Sequence, residues 1–302
     1  MKKLAALSMV ILAAVFWAGS GLAAQDFFAH SDRNAMELTN IRMLLAGALL
    51  FLLSCLLGGA ERSRKVLKEE PRLWLDLFLY GAAGILLMQF SYFQGIALGN
   101  AAATTVIQYT CPAMVICYES LHRRRWPRLG ETGAVLFAVT GIFLLVTGGH
   151  PERLSVPLDC LLWSLASGAF FAFSSIYPRH LLFRMDPCFL LSMGMLLGGA
   201  VSCALVPELN WQDFFRPEVR GDLAFIVLLG TAAAFLLFNA GLLWLTPGEA
   251  TVTAAIEPAA SVVLASVLFD IRFGWVESVG ILMVLTAIVL PLAGARREVS
   301  RH

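Results

Sequence analysis

Apolar residues fall into long runs at about 4–24, 36–59, 73–98, 101–121, 130–148, 158–177, 188–206, 223–245, 249–269 and 275–295, separated by short polar, Pro- or Arg-bearing breaks. Each run approaches the roughly 20 residues that a helix needs to cross the hydrocarbon core of a bilayer. The pattern therefore predicts ten transmembrane helices joined by short loops. Two breaks are slight, Gly99-Asn100 and Thr246-Pro247-Gly248. Each divides a stretch too long for one helix, and both stand at the same point of their half of the chain. The first run has a second reading, because Met1-Lys2-Lys3 ahead of an apolar stretch ending Gly21-Leu22-Ala23-Ala24-Gln25 also fits a secretory signal. Residues 14–20, however, match 168–174: Phe16-Trp17-Ala18 stands against Phe170-Phe171-Ala172, and Ser20 against Ser174. A segment with a repeat partner is expected to remain as a helix.

Displacing the chain against itself by 146 residues aligns the third to fifth runs with the eighth to tenth without a gap. Gly84 meets Gly230, Gly95 meets Gly241, Thr105-Val106 meets Thr251-Val252, Pro112-Ala113 meets Pro258-Ala259, Glu131 meets Glu277, and Thr140 meets Thr286. Chance likeness between apolar helices would match Leu and Val, not Pro, Glu and Gly in register. The fold class expected is an all-α integral membrane protein built from two five-helix repeats, residues 1–150 and 151–302. Because five is odd, the second repeat must enter the membrane in the opposite sense to the first. Inverted repeats of this kind are common in secondary transporters, where they enclose a midplane site.

Composition agrees with the pattern. Of 302 residues 59% are hydrophobic and only 14% charged, against about a quarter charged in a soluble domain. A net charge of +1 excludes the basic face that nucleic-acid binding requires. Positive residues collect on the cytoplasmic side of short loops, and with the N-terminus inside, the inner segments hold sixteen of the 22 basic residues and the outer segments five. Only Arg42 lies within a span. Both termini are thus expected on the cytoplasmic side of a bacterial-type inner membrane. Cys55, Cys111, Cys117, Cys160, Cys188 and Cys203 lie in or beside apolar runs without metal-type spacing and read as small hydrophobes. No G-x-x-x-x-G-K-[ST] or H-E-x-x-H segment occurs, and the five histidines lie in loops or at the terminus. Neither a nucleotide engine nor a hydrolytic site is expected, and no cofactor or metal.

Three features together resemble the EamA family of the drug/metabolite transporter superfamily: the run Phe93-Gln94-Gly95-Ile96-Ala97-Leu98 leading to Pro112, its counterpart ending Glu257-Pro258, and Arg42 early in the second span. The resemblance covers nearly the whole chain and implies ten helices around a central cavity and export of amino acids, other small metabolites or drugs. One departure stands out. Where many relatives carry a Glu beyond the repeat's Pro, this chain has Arg124 and Asp270.

Ionisable side chains inside a span are costly, so they usually face a cavity or a partner. Glu257 lies well inside the ninth span beside Pro258, which removes a backbone donor and bends a helix; Pro112 does the same in the fourth. Two readings of Glu257 are open: a carboxylate lining the substrate path and exchanging a proton with it, or a helix-packing group. Arg42, near the outer end of the second span, either reaches the headgroups with its long stem or turns inward to hold a substrate carboxylate. Trp17, Gln89, Tyr92, Gln94, Gln108, Tyr109, Asn239 and Trp244 form a polar and aromatic set able to line a cavity for a small, partly apolar solute, or to pack and bond between helices. Glu119 reads as a surface ion-pair partner of the Arg123–Arg125 cluster, Glu131 and Glu277 as helix caps, and Gly194 with Gly198 as a packing pair.

The function expected is secondary transport of a small-molecule substrate, with membrane lipid and a coupling proton as its other partners. A flippase or carrier for a lipid-linked or sugar-containing substrate is the alternative within the same architecture. From other classes come an intramembrane enzyme and a non-transporting scaffold.

Overall fold

Polar residues at the breaks act as helix caps, and they set where the chain turns. The computed structural model describes residues 2–122, 124, 126, 129–150, 155–206 and 211–299. After α1 (Lys2–His30), Asn34 and Glu37 close a capping box at the start of α2 (Ala35–Leu56). There the Glu37 N–H donates to Asn34 Oδ1 at 3.0 Å and the Asn34 N–H to Glu37 Oε2 at 2.8 Å. Gly58, in the left-handed region at φ 73°, turns the chain into α3 (Gly59–Glu69), which buries Ala60, Ser63 and Leu67 and exposes Arg62, Arg64, Lys65 and Lys68. Next, α4 (Leu73–Leu79), a π-helical segment (Tyr80–Leu86) and α5 (Leu87–Leu98) run on as one rod.

Asn100 then caps α6 (Ala101–Gln108), its Oδ1 accepting from the Ala103 N–H at 2.8 Å, and Gln25 of α1 accepts the Ala101 N–H at 2.8 Å. This explains the slight break at Gly99-Asn100. A turn at Tyr109-Thr110 leads to α7 (Cys111–His122), and α8 (Leu129–Thr147) completes the first half.

The second half repeats the plan. It comprises α9 (Leu158–Ile176), the short α10 (Arg179–Leu182), α11 (Pro187–Leu205), α12 (Trp211–Phe214), and then α13 (Arg220–Val227), a second π segment (Leu228–Ala233) and α14 (Ala234–Leu242). It ends with α15 (Pro247–Thr253), α16 (Ile256–Leu268) and α17 (Trp275–Val299). The other slight break is again a cap, with the Thr246 N–H donating to Glu249 Oε2 at 2.9 Å and the Glu249 N–H to Thr246 Oγ1 at 3.2 Å. Glu277 accepts the Gly274 N–H at 2.7 Å at the start of α17. The side chains of Glu119 and Glu131, and residues Arg123, Arg125 and Arg128, lie outside the described residues.

Among the described residues seven helices are long and apolar enough to cross a membrane: Lys2–His30, Ala35–Leu56, Leu73–Leu98, Leu158–Leu182, Pro187–Leu205, Arg220–Leu242 and Glu249–Leu268. Val135–Thr147 and Trp275–Ala287 are shorter apolar helices. The stretch expected as a continuous fourth span is instead divided into α6 and α7, neither of crossing length. Pro112 supplies the reason, since it has no N–H to give to the Gln108 carbonyl four residues back.

Helix pairings obey the sequence repeat. α1 packs on α14 and α5 on α9, α1 on α16 and α7 on α9, while α2 faces α11 and α8 faces α17. Each pairing is matched by its repeat counterpart or by itself. The same contact even recurs at residue level, because the space for a methyl group on Gly230 is filled by the Ser20 side chain and that on Gly84 meets Ser174 Cβ at 3.5 Å. Gly198 lies against the carbonyl of Gly81 in the first π segment, and Gly194 against the Tyr80 ring. Close packing accounts for this glycine pair without any ligand.

Candidate functional site

Both broken helices leave a carbonyl that a proline cannot serve. Pro258 removes the donor that would reach the Ala254 carbonyl. Two other groups take it: the Glu257 N–H at 2.9 Å, and the hydroxyl of Tyr109 at 2.7 Å, which crosses from the matching break in the first half. The same hydroxyl lies 2.8 Å from Glu257 Oε2. The interruptions at Tyr109-Thr110 and Ala254-Ala255 are thus joined to each other through Tyr109 and Glu257.

Glu257, only 3% exposed, lines a central cavity together with Arg42, Gln89, Tyr92, Gln108, Trp17, Ser20, Met88, Phe171 and Phe235. About 40 Å³ of it admits the centre of a water-sized atom, room for about three waters. Several lining residues are repeat mates. Trp17 corresponds to Phe171 and Gln89 to Phe235, and Tyr92 corresponds to Phe238, whose ring lies 5.2 Å from that of Trp17. The cavity therefore lies where the two halves meet; the Trp17–Phe171 pair is aromatic in both, while the Gln89–Phe235 pair is polar in one and aromatic in the other. Trp17 packs edge-on to Phe171 at 5.8 Å and Phe235 at 5.1 Å between ring centroids.

Part of the polar lining is fully bonded. Thr105 donates to the Ala101 carbonyl at 2.7 Å, so it accepts from Tyr92 at 2.8 Å. Gln108 Nε2 donates to Ser167 Oγ at 2.6 Å, which donates on to the Met88 carbonyl at 3.0 Å. The rest is not. Both amide atoms of Gln89, the Nε of Arg42 and the Nε1 of Trp17 are buried with no hydrogen-bond partner among the described residues. Orphaned groups of this kind are rare in a finished core, and here three share one cavity. Arg42 is 3% exposed and its Cζ lies 4.4 Å from the centre of the Phe93 ring. Its stem is buried and the residue lines the cavity.

The other candidates lie elsewhere. Trp244 is 52% exposed beneath Lys2, whose Nζ is 4.6 Å from the ring centre. Asn239 is buried and donates to the Phe235 carbonyl at 2.9 Å, and Gln94 is half-buried outside the cavity lining. Ser20, Met88, Phe171 and Phe235 were not singled out from sequence, where a Phe carries no polar signal. The repeat held the missing clue for two of them, since Phe171 and Phe235 are the mates of Trp17 and Gln89. Among the described residues no group of three or more His, Cys, Asp or Glu side chains could hold a metal ion.

Apolar helices of crossing length, a duplicated plan and a buried polar cavity between the halves are the build of a membrane transporter. The chain belongs to the EamA-like transporter family, which matches residues 4–147 and 159–292. It is 30% identical over 298 residues to the "Uncharacterized inner membrane transporter YicL" of Salmonella typhimurium, covering 96% of this chain and 95% of that one. It is 22% identical over 290 residues to the "Uncharacterized transporter YwfM" of Bacillus subtilis, covering 96% and 94%. A solved crystal structure shares the fold, with a TM-score of 0.70 at 16% identity over 97% of this chain and 98% of that one.

Proposed function

We propose that the chain is a secondary exporter of small metabolites in the inner membrane, working by alternating access around the central cavity. In this reading ten helices form two inverted repeats with both termini cytoplasmic. The divided pairs α6–α7 and α15–α16 each serve as one span, and α8 and α17 supply the fifth and tenth. The sixteen-to-five distribution of basic residues supports the orientation, and the printed name of the Salmonella relative supports the compartment. With no nucleotide-binding motif in the sequence, gradients supply the energy.

The observation that carries the reading is the cavity itself, which takes its walls from repeat-equivalent positions and holds unpartnered Arg42, Gln89 and Trp17 beside Glu257. Buried polar groups without partners are retained where a ligand supplies the partner. The cavity as it stands has room for water only, so a solute enters when the helices part. Counterflow in liposomes holding the purified protein tests this, using a panel of labelled amino acids, organic acids and amines. Solute-specific exchange without ATP is expected. Lipid translocation or product formation in place of solute exchange would overturn it in favour of a flippase or an enzyme.

A further inference from the structure

We infer that the cavity is built for an aryl monocarboxylate that travels together with a proton held on Glu257. This deepens, and rests on, the transport reading: in export the solute runs down its own gradient and takes the proton out with it. Tyr109 has one hydroxyl proton but two oxygen neighbours, the Ala254 carbonyl at 2.7 Å and Glu257 Oε2 at 2.8 Å. Both contacts are two-centre hydrogen bonds when the Tyr109 hydroxyl donates to Ala254 and a protonated Glu257 donates to the Tyr109 oxygen; with Glu257 ionised, the hydroxyl's one proton is shared between the two acceptors. The charged and titratable groups that face Glu257 are Tyr109 and Cys111 at the break of the fourth span, Tyr92 on α5 and Arg42 on α2. The adjoining α1 gives the cavity only Trp17 and Ser20. With Glu257 neutral, Arg42 is the charge in the cavity that lacks a counter-ion.

An ammonium group finds no anion while Glu257 holds its proton. A carboxylate finds three groups with unpartnered donors: the Arg42 Nε–H, the Gln89 amide and the Trp17 Nε1–H. An aryl tail suits the aromatic part of the lining, Phe171 and Phe235. Charge closes the cycle. The loaded cavity holds Arg42 positive, the solute negative and Glu257 neutral; after solute and proton leave, ionised Glu257 balances Arg42. Both forms are neutral, so one anion moves with one proton and no net charge. Two anions in a buried cavity this small repel, which ties the proton to the solute.

Proteoliposomes test this with three solutes that share a phenol ring: 3-(4-hydroxyphenyl)propionate, tyrosine and tyramine, with protein-free liposomes as background. Wild type is expected to exchange the propionate at least about tenfold faster than the other two. An acid-outside pH gradient should drive its uptake, and a potassium-diffusion potential should leave that uptake unchanged. Arg42→Gln should lower propionate exchange at least about tenfold, with Arg42→Lys recovering part of it. Glu257→Gln should still exchange the propionate but lose uptake driven by the pH gradient. Faster exchange of tyrosine or tyramine, or an unaffected Arg42→Gln protein, overturns the assignment while leaving transport standing. Absence of exchange for these solutes and for the wider panel overturns both. Selectivity among the three solutes in wild type needs no variant to fold.

Discussion

Tyr109 and Glu257 show how much one residue can hold in a membrane core. The Tyr109 hydroxyl bonds both the Ala254 carbonyl and Glu257 Oε2, and in its absence the carbonyl keeps the Glu257 N–H while the carboxyl has lost its partner. Tyr109→Phe should destabilise the protein by about 1–3 kcal/mol, the cost of a buried polar group left without its bond, read as reduced resistance to unfolding in detergent. Glu257→Gln should change that stability far less, since its amide can still donate to the Tyr109 oxygen. Equal losses in the two variants would contradict this division of roles. At this scale the sequence was informative where chemistry is rare. Glu257, Arg42 and Gln89 stand out in apolar runs, whereas Phe171 and Phe235 look like any lipid-facing Phe until the repeat pairs them with Trp17 and Gln89. Trp244 carried the same aromatic signal and lies at the surface, because ring type does not say which face of a helix is inward.

At the scale of elements, the caps were legible and the interruptions only partly so. Asn100, Thr246 and Glu249 mark the short breaks by residue type, and the two prolines mark the bends. Nothing in the apolar pattern distinguished a continuous fourth span from α6 and α7, or marked the π segments at Tyr80–Leu86 and Leu228–Ala233. Hydropathy is blind to backbone winding. Both π segments hold a glycine, Gly84 and Gly230, opposite a serine of a neighbouring span. In the second half the fit leaves no room, since a methyl group on Gly230 would overlap Ser20 on α1. Gly230→Ala should therefore cost about 1–3 kcal/mol by overpacking, while Gly133→Ala, whose methyl would meet nothing within 4 Å, should be tolerated. A melting comparison of the two purified variants checks this. Equal stability would show that α1 gives way at this crossing without cost.

The whole molecule is a duplicated helix set around a central cavity lined by both polar and aromatic side chains. The 146-residue register made the duplication readable without coordinates, and the helix pairings repeat it. The depth and small size of the cavity were not readable, because they depend on how side chains from α1, α2, α5, α6, α9, α14 and α16 converge across long sequence separations. Ser20 lies in that cavity and is small enough to become a reporter. In a variant whose six native cysteines are replaced, Ser20→Cys can be challenged with a membrane-impermeant thiol reagent from either face of sealed, oriented vesicles. Alternating access around the central cavity predicts labelling from both faces, slowed by a transported solute. Labelling from one face alone, unaffected by any such solute, would contradict it.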